Sequence, residues 1–180
     1  MKNNGKYIVG LIILILVLVF GAGIIIVNRS STARRIQVVY IPKARDDAND
    51  FWTSLLKGAQ MAANEYDVDL TILAPDSEQD FEAQVRYIDE AIAMNPNAII
   101  LSPSSKSEIT EAANRIVVAG IRLVLIDSEL DQNLQSIVVE TDNVAAGRKM
   151  GEFILTHLPE NPVIGVVSHV KSSSTAQERY

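Results

Sequence analysis

Short apolar runs recur along the chain from residue 36 onward, and more polar stretches separate them. Six runs are rich in Val, Ile and Leu: Ile36–Ile41, Val68–Leu73, Ala98–Leu101, Arg122–Ile126, Ser136–Val139 and Val163–Ser168. Their apolar residues are nearly continuous rather than alternating with polar ones, which is typical of strands covered on both faces. The pattern therefore predicts six strands of a parallel sheet.

The segments between these runs place apolar residues on one face at helical spacing. Three such stripes are Trp52, Leu55, Leu56, Ala59, Ala63 and Tyr66; Phe81, Val85, Ile88 and Ile92; and Ile109, Ala112, Ala113, Ile116 and Val117. The third helix should have Ser105 or Ser107 as its N-cap and should stop at Gly120. A fourth helix should run from about Val144 to Leu158. Alternation of strands and helices predicts an α/β fold with a doubly wound parallel sheet.

Polar segments follow the first five predicted strands. They are residues 42–50, 75–76, 102–105, 127–129 and 141–143. The carboxyl ends of parallel strands meet at one edge of a sheet, so these hydroxyl, amide and carboxylate groups predict a polar cleft there. Asp127 is the foremost candidate because it ends a buried strand abruptly; the alternative is that it only stabilises a turn.

Two aromatic residues at the start of the first helix add to this cleft. Phe51 and Trp52 could pack on the apolar face of a sugar ring, while a carboxylate accepts hydrogen bonds from its hydroxyls. Trp52 also fits the apolar stripe, whereas Phe51 lies about 100° away from that stripe and is the better candidate for the cleft. Because Asp127 lies at a rim, Asp127→Ala is expected to weaken sugar binding without unfolding the domain.

A long apolar segment precedes all of these elements. Tyr7–Val27 is 21 residues without a charge, and as a helix it would span about 30 Å, the thickness of the hydrocarbon core of a bilayer. A cleaved secretory signal, with cleavage after Ala33, is the alternative, but its apolar region is typically about 7–15 residues. The segment therefore predicts a transmembrane signal anchor. Basic residues flank it on both sides, so their count does not set its orientation.

Charge and composition exclude several function classes. Beyond Arg35 the chain carries 11 Lys and Arg against 22 Asp and Glu, and such an acidic surface repels nucleic acids. The sequence has no cysteine, and it has no Gly-rich phosphate loop, nucleophile elbow or metal-ligand cluster. We therefore expect a protein without a cofactor or metal that is not an enzyme. The aromatic and carboxylate groups of the predicted cleft make a sugar the expected ligand.

From Ile36 to Tyr180 the sequence resembles the type I periplasmic sugar-binding proteins, close to their ribose-binding branch. The segments that carry the resemblance are NDFWTSLLKGAQMAANEYDVDLTIL, AIILSPSS, AGIRLVLIDSEL, TDNVAAGRKMGEFI and SSSTAQERY. It implies a two-lobed protein that closes on one small carbohydrate. In that family the aromatic pair after the first strand, here Phe51 and Trp52, stacks on the sugar. The preceding amide, here Asn49, and the acid ending the fourth strand, here Asp127, bind its hydroxyls.

Two positions depart from the family pattern. Ser128 and Gln177 stand where ribose binders have arginine, so the resemblance does not imply ribose itself as the ligand. The Gln177 amide could still donate a hydrogen bond, and both residues are retained as candidate ligand contacts. Asp142 and Asn143 also match the family, and we expect them to turn the chain and cap the fourth helix.

The resemblance divides the chain into five segments. They are a short cytoplasmic N-terminus (1–6), the anchor (7–27), a linker (28–35), the first lobe of the binding domain (36–141) and a truncated start of the second lobe (142–180). The expected function is that of a membrane-anchored extracytoplasmic receptor that delivers sugar to the permease of an ABC importer. The alternative is a receptor that reports sugar to a membrane histidine kinase. A sugar-responsive repressor would need a helix-turn-helix where this chain has the apolar span.

Overall fold

The computed structural model describes residues 15, 35–46, 49–159, 162–167 and 171–179. The chain divides into two units, residues 1–35 and residues 36–180. Apart from Ile15, the predicted anchor Tyr7–Val27 lies outside the described residues, and so do residues 1–6 and 28–34. None of the helices formed by the described residues has the length and apolar character needed to cross a membrane.

The second unit is built on a five-stranded sheet in the order β2-β1-β3-β4-β5. The strands are β1 (Gln37–Ile41), β2 (Asp69–Ile72), β3 (Ala98–Leu101), β4 (Arg122–Ile126) and β5 (Ile137–Val139). Every neighbouring pair is parallel. The chain leaves β1 for β2 on one side and then builds β3, β4 and β5 on the other, so the predicted doubly wound parallel sheet is confirmed.

Five helices accompany the sheet. They are α1 (Asp50–Glu65), α2 (Phe81–Met94), α3 (Thr110–Val118), α4 (Asn143–His157) and α5 (Ser174–Glu178). Side-chain oxygens cap three of them: Asn49 Oδ1 accepts from Phe51 N at 3.0 Å, Asp80 Oδ1 from Ala83 N at 2.9 Å, and Asp142 Oδ1 from Ala145 N at 2.8 Å. The predicted capping role of Asp142 is thereby confirmed, because the cap satisfies an otherwise unpaired N–H of the first turn.

The ends of α3 confirm one prediction and correct another. Its N-cap is Ile109, which makes no side-chain cap bond. Ser105 Oγ instead accepts from Glu108 N at 3.3 Å, so this serine stabilises the turn that precedes the helix, and neither Ser105 nor Ser107 is the N-cap. At the other end Gly120 has φ +75° and its N–H donates to Val117 O at 2.9 Å. Glycine adopts this left-handed conformation without the steric cost that a Cβ would add.

The predicted sixth strand is wrong over the described residues 162–167, which form no strand. Val163 and Val167 are each 99% exposed. A strand is stable when its backbone groups pair with a neighbour, and this segment pairs with none of the described strands. Apolar and β-branched composition favours a strand but does not supply the partner.

The core lies between the central strands and the helices α2 and α3. Its fully buried side chains include Ile41, Ile88, Ile99, Leu101, Ile116 and Leu125. Burial decreases toward one edge of the sheet, because all three residues of β5 are exposed and Asn143 is the only buried residue of α4. The well-packed part of the unit therefore supports the ends of β1, β3 and β4, where the polar exits lie.

Candidate functional site

A hollow of about 180 Å³ lies at the carboxyl edge of the sheet. Its lining residues are Lys43, Asn49, Phe51, Trp52, Glu78, Asp127, Thr175 and Arg179. They come from the exits of β1 and β4, the start of α1, the loop before α2, and α5 with its C-cap residue. The structure thus brings together four of the six candidate residues, and it adds four that the sequence reasoning did not single out.

The aromatic pair forms one wall of the hollow. The rings of Phe51 and Trp52 meet edge to face, with centroids 4.9 Å apart and an angle of 81° between their planes. Phe51 is 51% exposed, whereas Trp52 is 3% exposed, and the Trp52 Nε1–H donates to Glu78 Oε1 at 2.7 Å. Trp52 therefore serves both the apolar stripe of α1 and the hollow. Phe51 offers the accessible aromatic surface, as its position on the helix predicts.

Asp127 lies at the end of β4 with φ +73°, a left-handed conformation that aspartate tolerates better than most residues. Its Oδ2 lies 2.7 Å from Lys43 Nζ and accepts a hydrogen bond from Ser128 Oγ at 3.1 Å. Both contacts use Oδ2, which leaves Oδ1 as the oxygen that can accept from a ligand. Ser128 is fully buried and does not line the hollow, and its hydroxyl helps to orient the carboxylate.

Lys43 is the most important residue that the sequence reasoning missed. It is only 3% exposed, and its Nζ also donates to Ser173 Oγ at 3.2 Å and lies 6.0 Å from the centroid of the Trp52 ring. A buried ammonium group needs such partners because desolvation penalises an unpaired charge. One feature of the sequence could have identified Lys43. It lies two residues after β1, within the polar segment 42–50 that also contains the candidate Asn49.

Gln177, the sixth candidate residue, does not line the hollow. It is exposed, and its Nε2 donates to Lys171 O at 3.1 Å. On a helix, residues four apart share a face while a residue midway between them points to the other side. Thr175 and Arg179 are four apart and both line the hollow. Arg179 Nε is held by Asn143 Oδ1 at 2.8 Å.

The charges around the hollow balance. Lys43 and Arg179 contribute two cations, and Glu78 and Asp127 contribute two carboxylates. Beneath them, burial raises the pKa of Tyr40 to about 12, with Asp127 adding to this effect and the hydrogen bond to Ser102 opposing it. The phenol therefore remains neutral. An electrically balanced hollow with one exposed ring and several donors and acceptors suits a neutral, hydroxyl-rich molecule.

A second group of carboxylates lies where the chain leaves β5. Burial raises the pKa of Glu140 to about 7, and Glu129 adds to the shift through its charge and a hydrogen bond. The charges of Glu178 and Asp127 contribute further. Within the described part of the chain, no group of His, Cys, Asp and Glu side chains has an arrangement that could hold a metal ion. The proximity of these carboxylates to one another therefore favours the protonated form of Glu140.

Comparisons with known proteins agree with this architecture. The 42% identical sugar transporter of Clostridium phytofermentans superposes with a TM-score of 0.77, over 79% of this chain and 52% of its own. The D-allose-binding periplasmic protein of Escherichia coli is 28% identical over 141 residues, and the ribose import binding protein of Bacillus subtilis is 26% identical over 131. Each match covers 73% of this chain but 45% and 42% of those relatives, so the chain spans a little under half their length.

The family model that matches is the periplasmic binding protein domain, over residues 38–180. This range contains the sheet apart from Gln37, the five helices and every residue that lines the hollow. The chain belongs to the periplasmic binding protein family.

Proposed function

We propose that this protein is an extracytoplasmic receptor for a small neutral carbohydrate, and that the hollow at the carboxyl edge of the sheet is part of its ligand site. The observation that supports this most directly is the pairing of an exposed aromatic ring, Phe51, with a charge-balanced set of donors and acceptors around Asp127. The sugar ring would pack on Phe51. Asp127 Oδ1 would accept from one hydroxyl, and Lys43 Nζ would donate to another oxygen.

The same proposal includes delivery to an ABC importer from the membrane surface. The relatives with sugar-binding and sugar-import names support the transport role, and the uncharged segment Tyr7–Val27 supports anchoring. Closure of a binding protein around its ligand changes the surface that it presents, which allows a permease to distinguish loaded from empty receptors.

A thermal-shift screen of the full-length protein in detergent tests carbohydrate binding. The panel contains D-ribose, D-allose, D-arabinose, D-fucose and D-xylose, with mannitol as a polyol that lacks a ring. A sugar present at 100 times its dissociation constant adds about 2.7 kcal/mol to the free energy of unfolding. We expect at least one monosaccharide to raise the melting temperature and mannitol to leave it unchanged. If no monosaccharide stabilises the protein, the carbohydrate assignment is wrong.

A sensing role is the second candidate. The segment Tyr7–Val27 could be retained as a membrane helix, and a retained helix suits a signalling receptor better than a transport receptor, which needs only a loose tether. In that case sugar occupancy would be reported to a membrane histidine kinase. Deleting the gene separates the two roles: loss of labelled sugar uptake supports transport, whereas normal uptake with loss of sugar-induced transcription supports sensing.

A further inference from the structure

Gln84 lies on the first turn of α2 and is completely buried although its side chain is polar. Its Nε2 donates to Pro42 O at 3.1 Å and to Ser102 O at 2.9 Å, and its Oε1 accepts from Ser104 N at 2.9 Å. An amide side chain offers two donor hydrogens and an acceptor oxygen. All three groups are therefore occupied, and all three partners are backbone atoms.

These partners lie just beyond the ends of β1 and β3. The ladder between the two strands ends at the pair Ile41 and Leu101, followed by one bond from Ser102 N to Ile41 O at 2.9 Å. Beyond that point the Gln84 amide joins the two exits in place of backbone pairing. It does so where the strand order reverses, since β1 leads outward to β2 and β3 begins the other half of the sheet.

Ligands of doubly wound sheets bind in the crevice at this reversal point. Here Gln84 is fully buried between the two strand exits, and Lys43 and Asp127 line the hollow. Lys43 directly follows Pro42, whose carbonyl Gln84 holds. The 2.7 Å contact from Lys43 Nζ to Asp127 therefore depends on a backbone segment that the Gln84 amide fixes.

We propose that Gln84 is a positioning residue for the ligand site, holding the exit of β1 in register with the exit of β3 so that Lys43 meets Asp127 beside the Trp52 ring. This inference rests on the proposed function, because it assigns Gln84 a role in carbohydrate affinity through Lys43. Hydrogen bonds weaken steeply as their geometry departs from the optimum, so a small displacement of Pro42 is enough to disturb the hollow.

Ile88 provides a matched control. It lies on α2 one turn beyond Gln84 and is also fully buried, but it belongs to the apolar core and not to the strand exits. Ile88→Ala therefore destabilises the unit by opening a cavity and leaves the cross-link between the exits in place. Gln84→Leu removes the cross-link and places an apolar side chain of similar size at the same buried position.

Trp52 is the only tryptophan in the chain and lines the hollow, so its fluorescence reports on the site without a ligand. The full-length protein in detergent is compared with both variants by acrylamide quenching and by calorimetric titration of the five monosaccharides. We expect Gln84→Leu to at least double the quenching constant and to lower sugar affinity about tenfold or more. Ile88→Ala, with a comparable loss of melting temperature, should leave the quenching constant and the sugar affinity within about twofold of the wild-type values.

Gln84→Glu adds a rescue test. The ionised carboxylate cannot donate to the carbonyls of Pro42 and Ser102, whereas the protonated form can donate to one of them. Lowering the pH from about 8 to about 5 should therefore move the quenching of Gln84→Glu toward that of the wild type and should not do so for Gln84→Leu. Equal behaviour of Gln84→Leu and Ile88→Ala in quenching overturns the inference. Absence of sugar binding by the wild type overturns the proposed function alone, because the quenching comparison does not need a ligand.

Discussion

A substitution of Phe51 can test ligand contact separately from folding, because half of its surface is exposed beside the hollow. Phe51→Ala should lower sugar affinity about tenfold, equivalent to about 1.4 kcal/mol, because the ring loses its packing on the sugar. The free energy of unfolding should change by less than about 0.5 kcal/mol. Titration calorimetry and urea unfolding measure the two quantities.

Phe153 is the control for this prediction, since it is 60% exposed on α4 and does not line the hollow. Phe153→Ala should leave sugar affinity unchanged. If Phe51→Ala and Phe153→Ala lost affinity equally, the sugar would not pack specifically on the Phe51 ring in the hollow.

The ion pair between Asp127 and Lys43 changes the effect expected of Asp127→Ala from the position of Asp127 at the rim of the sheet. A rim position alone predicts that Asp127→Ala weakens binding without affecting the fold. Because Lys43 is buried, the substitution leaves an ammonium group without its carboxylate, and breaking a buried pair costs about 3–5 kcal/mol. We therefore expect Asp127→Ala to reduce both affinity and stability. The double variant with Lys43→Met should recover part of the stability but not the affinity.

An exposed ion pair supplies the comparison. Arg115 Nη2 lies 2.8 Å from Asp89 Oδ1, and their side chains are 42% and 54% exposed. Asp89→Ala should cost less than about 1 kcal/mol in urea unfolding. If Asp127→Ala is no more destabilising than Asp89→Ala, the pair with Lys43 does not contribute to stability in the way its burial suggests.

Glu140 gives a pH-dependent prediction. Its pKa of about 7 in the folded protein lies above its ordinary value of 4.5, so the folded state favours the protonated carboxyl and is penalised when it ionises. The penalty is complete above pH 7 and disappears as the pH falls toward 4.5. Glu140→Gln should therefore raise the melting temperature at pH 8 and match the wild type at pH 4.

Glu90→Gln controls for the removal of one exposed charge, because Glu90 lies on the outer surface of α2. Melting curves of the three proteins between pH 4 and pH 8 make the comparison. A stabilisation by Glu140→Gln that is constant across this range would contradict the cluster with Glu129.

At the scale of elements, alanine substitutions at two glycines are expected to change the free energy of unfolding in opposite directions. Gly120 ends α3 with φ +75°, whereas Gly58 lies within α1 with open space around the position of a Cβ. Gly120→Ala should lower the free energy of unfolding by about 1 kcal/mol, because alanine is strained in the left-handed region. Gly58→Ala should raise it by up to about 1 kcal/mol, because alanine favours a helix. Changes of the same sign would show that one of these backbone assignments is incorrect.

The elements themselves were predictable from the sequence to the extent that their stability is local. Ile99, Leu101 and Leu125 lie in nearly continuous apolar runs, and such runs predict buried strands regardless of which strand pairs with which. The run at 163–167 has the same composition, yet it forms no strand. Strand pairing depends on which segments are neighbours in space, and the composition of a single segment does not reveal its neighbours.

The candidate site shows the same division. Phe51 could be assigned to the hollow because its direction follows from helical spacing, and Asp127 because it ends a strand. Lys43 and Arg179 required the tertiary structure, since the first gains its role from the distant Asp127 and the second from Asn143. The family pattern gives Gln177 a sequence position but not the face of the helix on which it lies, so its contact with a ligand stays a prediction.

At the scale of the molecule, the segment 171–179 lies against the strand exits. Lys43 Nζ reaches Ser173 Oγ, Glu129 N donates to Ser174 Oγ at 2.9 Å, and Lys106 N donates to Ser172 O at 3.0 Å. These bonds bring Thr175 and Arg179 to the hollow. The proposed ligand would therefore touch both the exits of the sheet and α5.

Fluorescence titration of Trp52 with the five monosaccharides tests most directly whether a sugar binds in this hollow. We predict a saturable change in the emission of Trp52 for at least one sugar, with the affinity reduced about tenfold in Phe51→Ala and unchanged in Phe153→Ala. A sugar that stabilises the protein against heat but leaves Trp52 emission unchanged at saturation would contradict binding at this place.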